Sequence, residues 1–450
     1  MQLRVAVIGS GPAGVYAAEA LAIYGADVAI DVLDGLPAPF GLVRYAVAPD
    51  HPRTQSIATA LAAVLELPTV RFLGNVRVGT DVTLDELRDH YDAVVVATGA
   101  ATDRRMGIPG EDLPGSVSAT ELVAWYCGNP DSAVDRFRLD ARSVAVVGAG
   151  NVAGDVARML ARSAAELRPT DTPDHVLETF AASRVEDVHL IARRGPAQTR
   201  FTTRELRELG DLELADVVVD QADLALDPAS EALLRSSPAA RRNVEVLRAW
   251  AGMPLSGKPR RVHLRFFWRP VELTGDEAVT GIRIERTRLD DDGALHGTGT
   301  VLDLPVQLVV RAVGYRSLPL PGLPFDEAAG VVPHDAGRVH LDGVPVPGMY
   351  VAGWAKRGPT GVIGTNKHDA RETVRSLLAD APALPRAPVR DPATLPRLLG
   401  QRGVDVVTWA GWAAIDRAEL DHGQRQGRSR AKISDRSELL RIAASVARDQ

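Results

Sequence analysis

The feature that most constrains the fold is a strand, glycine-turn and helix pattern that occurs twice. Residues 3–9 (LRVAVIG) form a β-branched, apolar run that leads into GSGPAG and then into a helical pattern of small residues. Residues 143–154 (SVAVVGAGNVAG) repeat the same order. A buried strand that turns through glycines into a helix is typical of the phosphate-binding half of a Rossmann unit. The sequence therefore predicts an α/β chain with two dinucleotide-binding domains.

The first turn has glycine at each of the three spaced positions of this motif. Gly9 permits the tight turn, Gly11 lets the backbone approach a pyrophosphate, and Gly14 allows close packing of helix and strand. The second strand of the unit ends in Asp34, an acid of the kind that binds a ribose hydroxyl. A glycine turn with a purely structural role remains the alternative, but the strand before it and the helix after it favour nucleotide binding.

The second turn has Gly148 and Gly150 followed by Ala153, a tolerated variant of the motif. Where an acid is expected after the second strand of this unit, the sequence has Arg193 and Arg194. Two guanidinium groups suit a 2′-phosphate, a dianion that an acid would repel. The alternative is a solvated surface pair. The opposite charges after the two second strands predict FAD in the first unit and NADP in the second.

Composition excludes several other classes of function. A net charge of −6 provides no basic field for nucleic acid, and no apolar run approaches the roughly 20 residues that span a bilayer. The strand pattern starts within the first residues, which leaves no room for a signal peptide. The cysteine count predicts a reducing cytoplasm, and we also expect a monomer. The single cysteine, Cys127, excludes the thiol pair of the disulfide reductases. No cluster of His, Cys and carboxylates has metal-site spacing.

Two further stretches contain candidate functional residues. Residues 35–56 contain prolines at 37, 39, 49 and 52 and are predicted to be an ordered loop without regular structure. His51 lies in this loop between Asp50 and Pro52, where a functional role and an ordinary structural role are both open. Residues 94–100 (VVVATGA) fit the strand-to-loop crossing of flavoproteins that bind two dinucleotides, although any buried strand has a similar pattern.

Six stretches together make the chain resemble the adrenodoxin-reductase family of ferredoxin–NADP⁺ reductases, in particular its actinobacterial members. They are GSGPAG, PAPFGLVRYAVAPDHP, GNVAGDVAR, RRGPAQTRFTTRELREL, RFFWRPVE and GWAKRGPTGVIGTNK. The resemblance covers nearly the whole chain, and the proline-rich loop and the last stretch are its most specific parts. It implies a glutathione-reductase-like α/β fold of two Rossmann-like domains. In this fold an NADP-binding domain, 105–330, is inserted in a discontinuous FAD-binding domain, 1–104 plus 331–450.

The resemblance also implies roles for individual residues. FAD would be bound by Ala13, Asp34, Leu42, Val78, Trp354, Gly361, Val362 and Ile363. NADP would be bound by Ala149, Gly150, Asn151, Val152, Arg193, Arg194 and Glu205, with Gly361 at the nicotinamide end. His51, Asp155 and Glu205 are the candidate catalytic residues, in the electron-transfer and nicotinamide environment. Family members more often have Glu where this chain has Asp34, so the shorter acid must lie closer to the ribose.

The activity implied by the resemblance is hydride transfer from NADPH to FAD, followed by single-electron transfer to an acidic iron–sulfur ferredoxin. That ferredoxin would in turn supply a cytochrome P450 or another oxygenase. Candidate cations of a ferredoxin-docking face are Arg204, Arg207, Lys258, Arg260, Arg261 and Arg265. One alternative is a two-electron NADPH reductase of quinones or similar small acceptors on the same fold. Another is an electron-bifurcating subunit, which would need N-terminal cysteine clusters that this sequence lacks.

Overall fold

A computed structural model describes residues 2–446 of the chain. The chain divides into two compact units. The first unit comprises Met1–Thr102, Cys127–Ser132 and Tyr315–Gln450, and the second comprises Asp103–Tyr126 and Ala133–Gly314. Residues 315–330, predicted to end the NADP-binding domain, thus belong to the first unit.

The secondary structure of residues 2–446 alternates strands and helices along most of the chain. The strands are β1 (Leu3–Ile8), β2 (Val28–Asp34), β3 (Val70–Gly74), β4 (Ala93–Val96), β5 (Thr102–Asp103), β6 (Ser116–Ser118), β7 (Ser143–Val147), β8 (Asp187–Ala192), β9 (Ala215–Val219), β10 (Arg260–Phe266), β11 (Trp268–Thr274), β12 (Gly281–Leu289), β13 (Leu295–Leu304), β14 (Leu308–Arg311), β15 (Tyr315–Arg316), β16 (His334–Asp335), β17 (Arg338–Leu341) and β18 (Val344–Val351). The α-helices are α1 (Pro12–Tyr24), α2 (Leu42–Tyr45), α3 (Pro52–Gln55), α4 (Ile57–Leu65), α5 (Leu84–His90), α6 (Ala119–Tyr126), α7 (Asn151–Ala161), α8 (Ala164–Leu167), α9 (Asp174–Ala181), α10 (Thr203–Gly210), α11 (Pro228–Ser236), α12 (Pro238–Ala251), α13 (Trp354–Arg357), α14 (Thr365–Asp380), α15 (Thr394–Gln401), α16 (Trp409–Arg425) and α17 (Arg436–Ser445). Short 3₁₀ helices cover Pro196–Gln198, Gln221–Leu224 and Ala381–Ala383. None of the helices in the described part of the chain has the length and apolarity needed to cross a bilayer.

The first unit is built on a sheet with the strand order β16-β17-β18-β4-β1-β2-β3. β1 pairs in parallel with β2 and β4, and it is buried along its whole length. Alternate residues of β1 face opposite sides of the sheet. Val7 packs in a cluster with Leu21 of α1 and Val374 of α14, whereas Ile8 packs with Leu87 of α5. Helices therefore cover both faces, which is why every residue of the strand except Arg4 is apolar.

The second unit contains a sheet with the order β6-β14-β7-β8-β10-β9, in which all neighbouring strands run in parallel. A separate antiparallel sheet, β11-β12-β13, packs on it. Ile282 and Ile284 of β12 share one apolar cluster with Ala145 of β7 and Ile191 of β8. Since β7 and β8 are adjacent and parallel, their carboxyl ends meet at one edge of the sheet, where ligands bind in open α/β sheets.

The proline-rich loop contains two helical turns, α2 and α3, so the prediction of no regular structure is wrong at these positions. Pro52 begins α3, because its fixed φ suits the first position of a helix and its missing N–H is not needed there. Gly41 precedes α2 with a φ of +49°, a conformation that glycine adopts without strain. Pro52 and Gly41 are thus local signals that favour these two short helices.

A buried ion pair fastens the proline-rich loop to helix α16. Arg44 Nη2 donates to Glu419 Oε1 at 2.5 Å, and the two side chains are 6% and 0% exposed. The guanidinium of Arg44 lies 5.1 and 5.0 Å from the ring centres of Tyr45 and Trp412. Glu419 also accepts a hydrogen bond from Arg430 at 2.9 Å. Burial alone would raise the pKa of Glu419, but the two arginines outweigh it and hold that pKa below its ordinary value.

Strands β8 and β10 place two histidines side by side at the start of the HLIARR stretch. The rings of His189 and His263 stack with their centres 4.5 Å apart. Arg265 Nε donates to His189 Nδ1 at 3.3 Å, which requires that nitrogen to be unprotonated. Burial, together with the positive charge of His263 and Arg265, lowers the pKa of His189 to about 3. His189 is thus a neutral residue of the folded sheet.

We expect His189 to make the fold less stable in mild acid. In the unfolded chain a histidine binds a proton below about pH 6.5, whereas folded His189 stays neutral down to a pKa of about 3. The contribution of His189 to the free energy of unfolding is near zero above pH 6.5 and becomes increasingly unfavourable as the pH falls from 6.5 towards 3. In His189→Gln, the loss of unfolding free energy between pH 7.5 and 5.0 should be smaller by about 2 kcal/mol, measured by urea denaturation. His368→Gln, at an exposed position of α14, controls for removing a histidine; equal pH dependence in wild type and His189→Gln would contradict the expectation.

Candidate functional site

The first glycine turn, between β1 and α1, admits only glycine at two of its three positions. Gly9 has a φ of +108°, and a Cβ there would lie 2.4 Å from the carbonyl oxygen of Ala97. A Cβ on Gly14 would lie 1.8 Å from the carbonyl oxygen of Gly9. The turn therefore packs directly against the predicted crossing segment 94–100. It also aims the free N–H groups of α1, which begins at Pro12, at the space in front of the helix.

The proline-rich loop lies against this turn. Phe40 N donates to Ser10 O at 3.1 Å, and a Cβ on Gly41 would lie 3.0 Å from Gly11 Cα. A Cβ on Gly11 itself would meet only Gly41 Cα within 4 Å, at 3.9 Å. The space that a side chain of Gly11 would occupy is thus nearly open, and Leu42 directly follows Gly41 in the loop. Two glycine backbones and a helix N-terminus form a cradle of the shape that a pyrophosphate needs.

The segment that contains Trp354 reaches the same helix end. Gly353 has a φ of +74°, and a Cβ there would lie 2.4 Å from Ala13 Cβ. Gly353 N donates to Asp369 Oδ2 at 2.5 Å, which holds the segment on α14. Trp354 Nε1 donates to Thr360 O at 3.2 Å, and the ring centre of Tyr315 lies 5.3 Å from that of Trp354. Two segments that are far apart in the sequence therefore meet at the N-terminus of α1.

Asp34 ends β2 beside the turn, as predicted. Its Oδ2 accepts hydrogen bonds from Ser10 N at 2.8 Å and Ser10 Oγ at 2.5 Å, and its Oδ1 accepts one from Leu36 N at 2.9 Å. Burial raises the pKa of Asp34 above its ordinary value, although these hydrogen bonds oppose the shift. A carboxylate has about four acceptor positions, so Asp34 can hold the turn and still accept a ribose hydroxyl.

The other residues predicted for FAD also lie in the first unit. Gly361, with a φ of +84°, and Val362 are exposed, whereas Ile363 and Val78 are half-buried. Val78 pairs with Val82 in a turn. His51 is buried and precedes the first turn of α3. The contacts described for the glycine turn bring together Ala13, Asp34, the proline-rich loop next to Leu42 and the segment of Trp354. They do not involve this second group.

The second glycine turn, between β7 and α7, is open towards the carboxyl edge of its sheet. Gly148 has a φ of +149°, and a Cβ there would lie 2.4 Å from the carbonyl oxygen of Ala312. A Cβ on Gly150 would meet no atom within 4 Å. Asn151 begins α7, and its Oδ1 accepts a hydrogen bond from Thr202 N at 3.0 Å. The predicted residues 149–152 therefore surround a helix N-terminus with free space in front of it.

Arg193 and Arg194 follow β8, whose carboxyl end lies beside this turn. Both residues are exposed. Their backbone is held in place, because Arg193 O accepts from Thr287 Oγ1 at 2.8 Å and Arg194 O accepts from Phe267 N at 3.1 Å. Neither guanidinium has a hydrogen bond or ion pair within residues 2–446. Two free guanidinium groups on a fixed backbone suit a 2′-phosphate.

The two remaining candidate catalytic residues have structural partners in the second unit. Glu205 lies in the first turn of α10 and accepts a hydrogen bond from Thr202 Oγ1 at 2.8 Å. Asp155 of α7 pairs with Arg158, which is fully buried, at 2.8 Å. Their predicted roles near the nicotinamide stay predictions.

Most of the predicted docking cations are engaged within the chain. Arg204 pairs with Glu208, Arg261 pairs with Asp187, Lys258 and Arg260 donate to backbone carbonyls of Leu212 and Arg162, and Arg265 donates to His189. Arg207 alone of the six is exposed without a side-chain hydrogen bond or ion pair in the described part of the chain. Of the cations on β10, Arg261 is thus paired with an acid, whereas Arg260 and Arg265 donate to neutral groups within the chain.

Sequence reasoning missed two residues that the structure places at these turns. Asp369 positions Gly353 but lies 16 positions away, so no local motif marks it. Arg200 lies inside the stretch RRGPAQTRF, and its backbone N donates to Ala149 O at 2.8 Å. The positive charge of Arg200 could have marked it as a candidate for phosphate binding. Its position next to the glycine turn, however, is set by the path of the segment between β8 and α10.

Comparisons with known proteins agree with this geometry. The model of the pyridine nucleotide-disulphide oxidoreductase family matches residues 3–215. The NADPH-ferredoxin reductase FprA of Mycobacterium leprae is 43% identical over 98% of this chain and 98% of its own length. The mitochondrial NADPH:adrenodoxin oxidoreductase of Arabidopsis thaliana is 40% identical over 98% of this chain and 96% of its own. The structure of Mycobacterium tuberculosis FprA in complex with NADPH superposes with a TM-score of 0.93 at 42% identity, covering 99% of this chain and 100% of the other.

The identity is above 40% along nearly the full length of both chains, and the fold is the same, so the whole of this chain matches one family. The resemblance seen in the sequence motifs is confirmed. This chain belongs to the adrenodoxin-reductase-like family of NADPH–ferredoxin reductases, flavoproteins with a two-domain pyridine nucleotide-disulphide oxidoreductase fold.

Proposed function

We propose that this protein is an FAD-dependent NADPH–ferredoxin reductase. The observation that carries the proposal is the pair of open glycine turns, one in each unit, with opposite charges after their second strands. Asp34 lies beside the first turn, and the free guanidinium groups of Arg193 and Arg194 lie beside the second. The names of the relatives, which specify NADPH and ferredoxin or adrenodoxin, support the same assignment.

The first unit is the proposed FAD-binding unit. Its FAD-binding residues would be Gly9, Gly11, Ala13, Gly14, Asp34, Leu42, Val78, Trp354, Gly361, Val362 and Ile363. The cradle fits a flavin dinucleotide, because the glycine backbone and the N–H groups of α1 offer donors to a pyrophosphate and Asp34 offers an acceptor to a ribose. Trp354, whose indole is held by Thr360, would supply an aromatic surface for the ring system.

The second unit is the proposed NADP-binding unit. Its NADP-binding residues would be Ala149, Gly150, Asn151, Val152, Arg193, Arg194 and Glu205. The chain needs no nucleophile for this reaction. FAD, when bound, accepts a hydride from NADPH and can release its electrons singly. The work of the chain is to hold both dinucleotides in place and keep water out. His51, Asp155 and Glu205 remain the candidates for tuning that environment.

Two observations bear on the alternatives. The single cysteine, Cys127, is buried, so the thiol pair of a disulfide reductase is missing despite the family model that this chain matches. A two-electron reductase of small acceptors would share both glycine turns, and only the acceptor distinguishes it. The relatives' names favour a ferredoxin. One cysteine in 450 residues is typical of a reducing compartment, which supports a cytoplasmic enzyme. We also propose that the enzyme is a monomer.

The test is a stopped-flow experiment on the purified holoprotein. The protein should show a flavin absorption spectrum that NADPH bleaches faster than NADH does. A reduced ferredoxin should then appear in one-electron steps, with two ferredoxins reduced for each NADPH consumed. Rapid turnover with a quinone and no transfer to any ferredoxin tested would favour the two-electron alternative.

We further propose that the ferredoxin is acidic and docks on α10 and α12 of the second unit. These helices pack together, and their exposed sides carry Arg207, Arg241, Arg242 and Arg248. Arg241 donates to the carbonyls of Leu234 and Arg235. Arg207, Arg242 and Arg248 have no side-chain hydrogen bond or ion pair within the described residues, so their charge is available to a partner. This surface replaces the β10 cations as the proposed docking face.

Charge reversal on this face should slow ferredoxin reduction and spare a small neutral dye. Attraction between exposed charges is screened beyond about 10 Å at 0.1 M salt. Arg242→Glu should therefore lower the ferredoxin rate several-fold at low salt and flatten its dependence on ionic strength. Arg184→Glu, an exposed arginine at the amino end of β8, is the matched control. Identical salt profiles for wild type and Arg242→Glu, measured at saturating NADPH and limiting ferredoxin, would exclude this docking face.

A further inference from the structure

The segment between β8 and α10 returns over the second glycine turn and brings Arg200 next to it. Arg200 N donates to Ala149 O at 2.8 Å, and Arg200 and Gly150 form an isolated parallel bridge. The space in front of Gly150 is open, since a Cβ there would touch nothing within 4 Å. The backbone of Arg200 is therefore fixed at the glycine turn itself, whereas Arg193 and Arg194 are fixed at the end of the neighbouring strand.

The residue after Arg200 anchors this position. Phe201 is 4% exposed, and its ring lies 3.4 Å from the position of a Cβ on Gly154. Asn243 Nδ2 donates to Phe201 O at 3.0 Å. Thr202 N then donates to Asn151 Oδ1 at 3.0 Å. The chain on the C-terminal side of Arg200 is thus bound to α7 and α12 and cannot move away from the turn without breaking these contacts.

The side chain of Arg200 is not used by these contacts. Arg200 is exposed, and its guanidinium has no hydrogen bond or ion pair within residues 2–446. No structural need explains a cation at this place, because the loop is held by its backbone and by Phe201 and Asn243. The backbone of Arg200 is therefore fixed, while its guanidinium has no partner in the described residues. The N-terminus of α7 beside it is open.

We propose that Arg200 binds the pyrophosphate of the coenzyme; this inference rests on the proposed function of the second unit. In a Rossmann unit the pyrophosphate lies at the glycine turn and the helix N-terminus, whereas the ribose 2′-position lies at the end of the second strand. Arg200 is at the first of these places, and Arg193 and Arg194 are at the second. Arg200 therefore contributes equally to NADP(H) and NAD(H), whereas the other two arginines select between them.

Three ligands separate these roles in the holoprotein. NADP⁺ has the pyrophosphate and the 2′-phosphate, NAD⁺ has the pyrophosphate only, and adenosine 2′-monophosphate has the 2′-phosphate only. In Arg200→Ala, the dissociation constants of NADP⁺ and NAD⁺ should rise by the same factor, about 10-fold, which is the loss of one charge-assisted contact. The inhibition constant of adenosine 2′-monophosphate should not change. Arg184→Ala, at the opposite end of β8, controls for the removal of an exposed arginine in the same unit.

Each other outcome has a distinct meaning. If NADP⁺ and adenosine 2′-monophosphate weaken while NAD⁺ does not, Arg200 binds the 2′-phosphate and the assignment to the pyrophosphate is wrong. If all three constants match those of wild type, Arg200 is only a solvated side chain. If wild-type protein binds none of the three ligands, the proposed function of the second unit fails as well, and Arg200 loses its role with it.

Discussion

Replacing both Arg193 and Arg194 by alanine is expected to raise the KM for NADPH strongly and to leave the KM for NADH nearly unchanged. Both guanidinium groups are exposed and unpaired within residues 2–446, so each is free to bind a 2′-phosphate. A charge-assisted contact with phosphate contributes about 1.5–3 kcal/mol, so loss of even one should weaken NADPH about 10- to 100-fold. Steady-state reduction of a small dye measures both constants without involving a ferredoxin.

The single variants and a control make this expectation specific. Arg193→Ala and Arg194→Ala should each lose part of the preference for NADPH, whereas Arg184→Ala should keep it. The fold should not suffer, because the contacts of this segment are made by the carbonyls of Arg193 and Arg194 and not by their side chains. If NADPH and NADH weaken equally in the double variant, the arginines are structural, and the proposed 2′-phosphate site is in the wrong place.

Glu419→Ala is expected to lower the free energy of unfolding of the first unit by about 3–5 kcal/mol. Glu419 is fully buried and pairs with Arg44, which lies between the rings of Tyr45 and Trp412. Removing one partner of a buried pair leaves the other charge without compensation in a low-dielectric interior. The loop that contains Arg44 also packs Gly41 on Gly11, so we expect FAD to be released at lower urea concentration. Flavin fluorescence and circular dichroism against urea measure the two effects.

A surface pair of the same geometry provides the control. Arg316 and Glu327 also lie 2.5 Å apart in the first unit, but their side chains are 40% and 68% exposed. Glu327→Ala should cost at most about 1 kcal/mol, because solvent screens the pair. The double variant Arg44→Met with Glu419→Leu should recover part of the stability lost in Glu419→Ala, since it removes the charge of Arg44 together with that of Glu419, while Arg430 keeps its pair with Asp416. A loss below 1 kcal/mol in Glu419→Ala would show that water reaches this pair.

The two glycine turns were predictable because their determinants are local. A residue at position 9 or 148 needs a positive φ, a conformation that glycine adopts without strain. An apolar run before such a turn and a helical pattern after it complete a unit that the sequence shows within about 30 residues. The fold class and the proposal of two nucleotide sites, distinguished by Asp34 and Arg193–Arg194, followed from this local information.

The engagement of each charged group depended on the tertiary structure. The sequence did not distinguish among six cations as candidates for a docking face. In the structure, five of them form ion pairs or hydrogen bonds with Asp187, Glu208, His189 or backbone carbonyls. Arg44 and Glu419 are 375 positions apart, and neither has a local signal that it is buried. Whether a charge is free or paired is decided by which distant residues fold next to it and by how much water they exclude.

The sequence by itself thus determined the elements whose conformation is set by sterics between near neighbours: the strands, the glycine turns, the helix starts and the order in which they form two Rossmann units. The tertiary structure decided which segments meet at each turn, such as Gly353 at Ala13 and Arg200 at Ala149. The physical reason is that these interactions act over different distances along the chain. Backbone sterics act within a few residues, whereas desolvation, ion pairing and close packing act between residues that only the folded chain brings together.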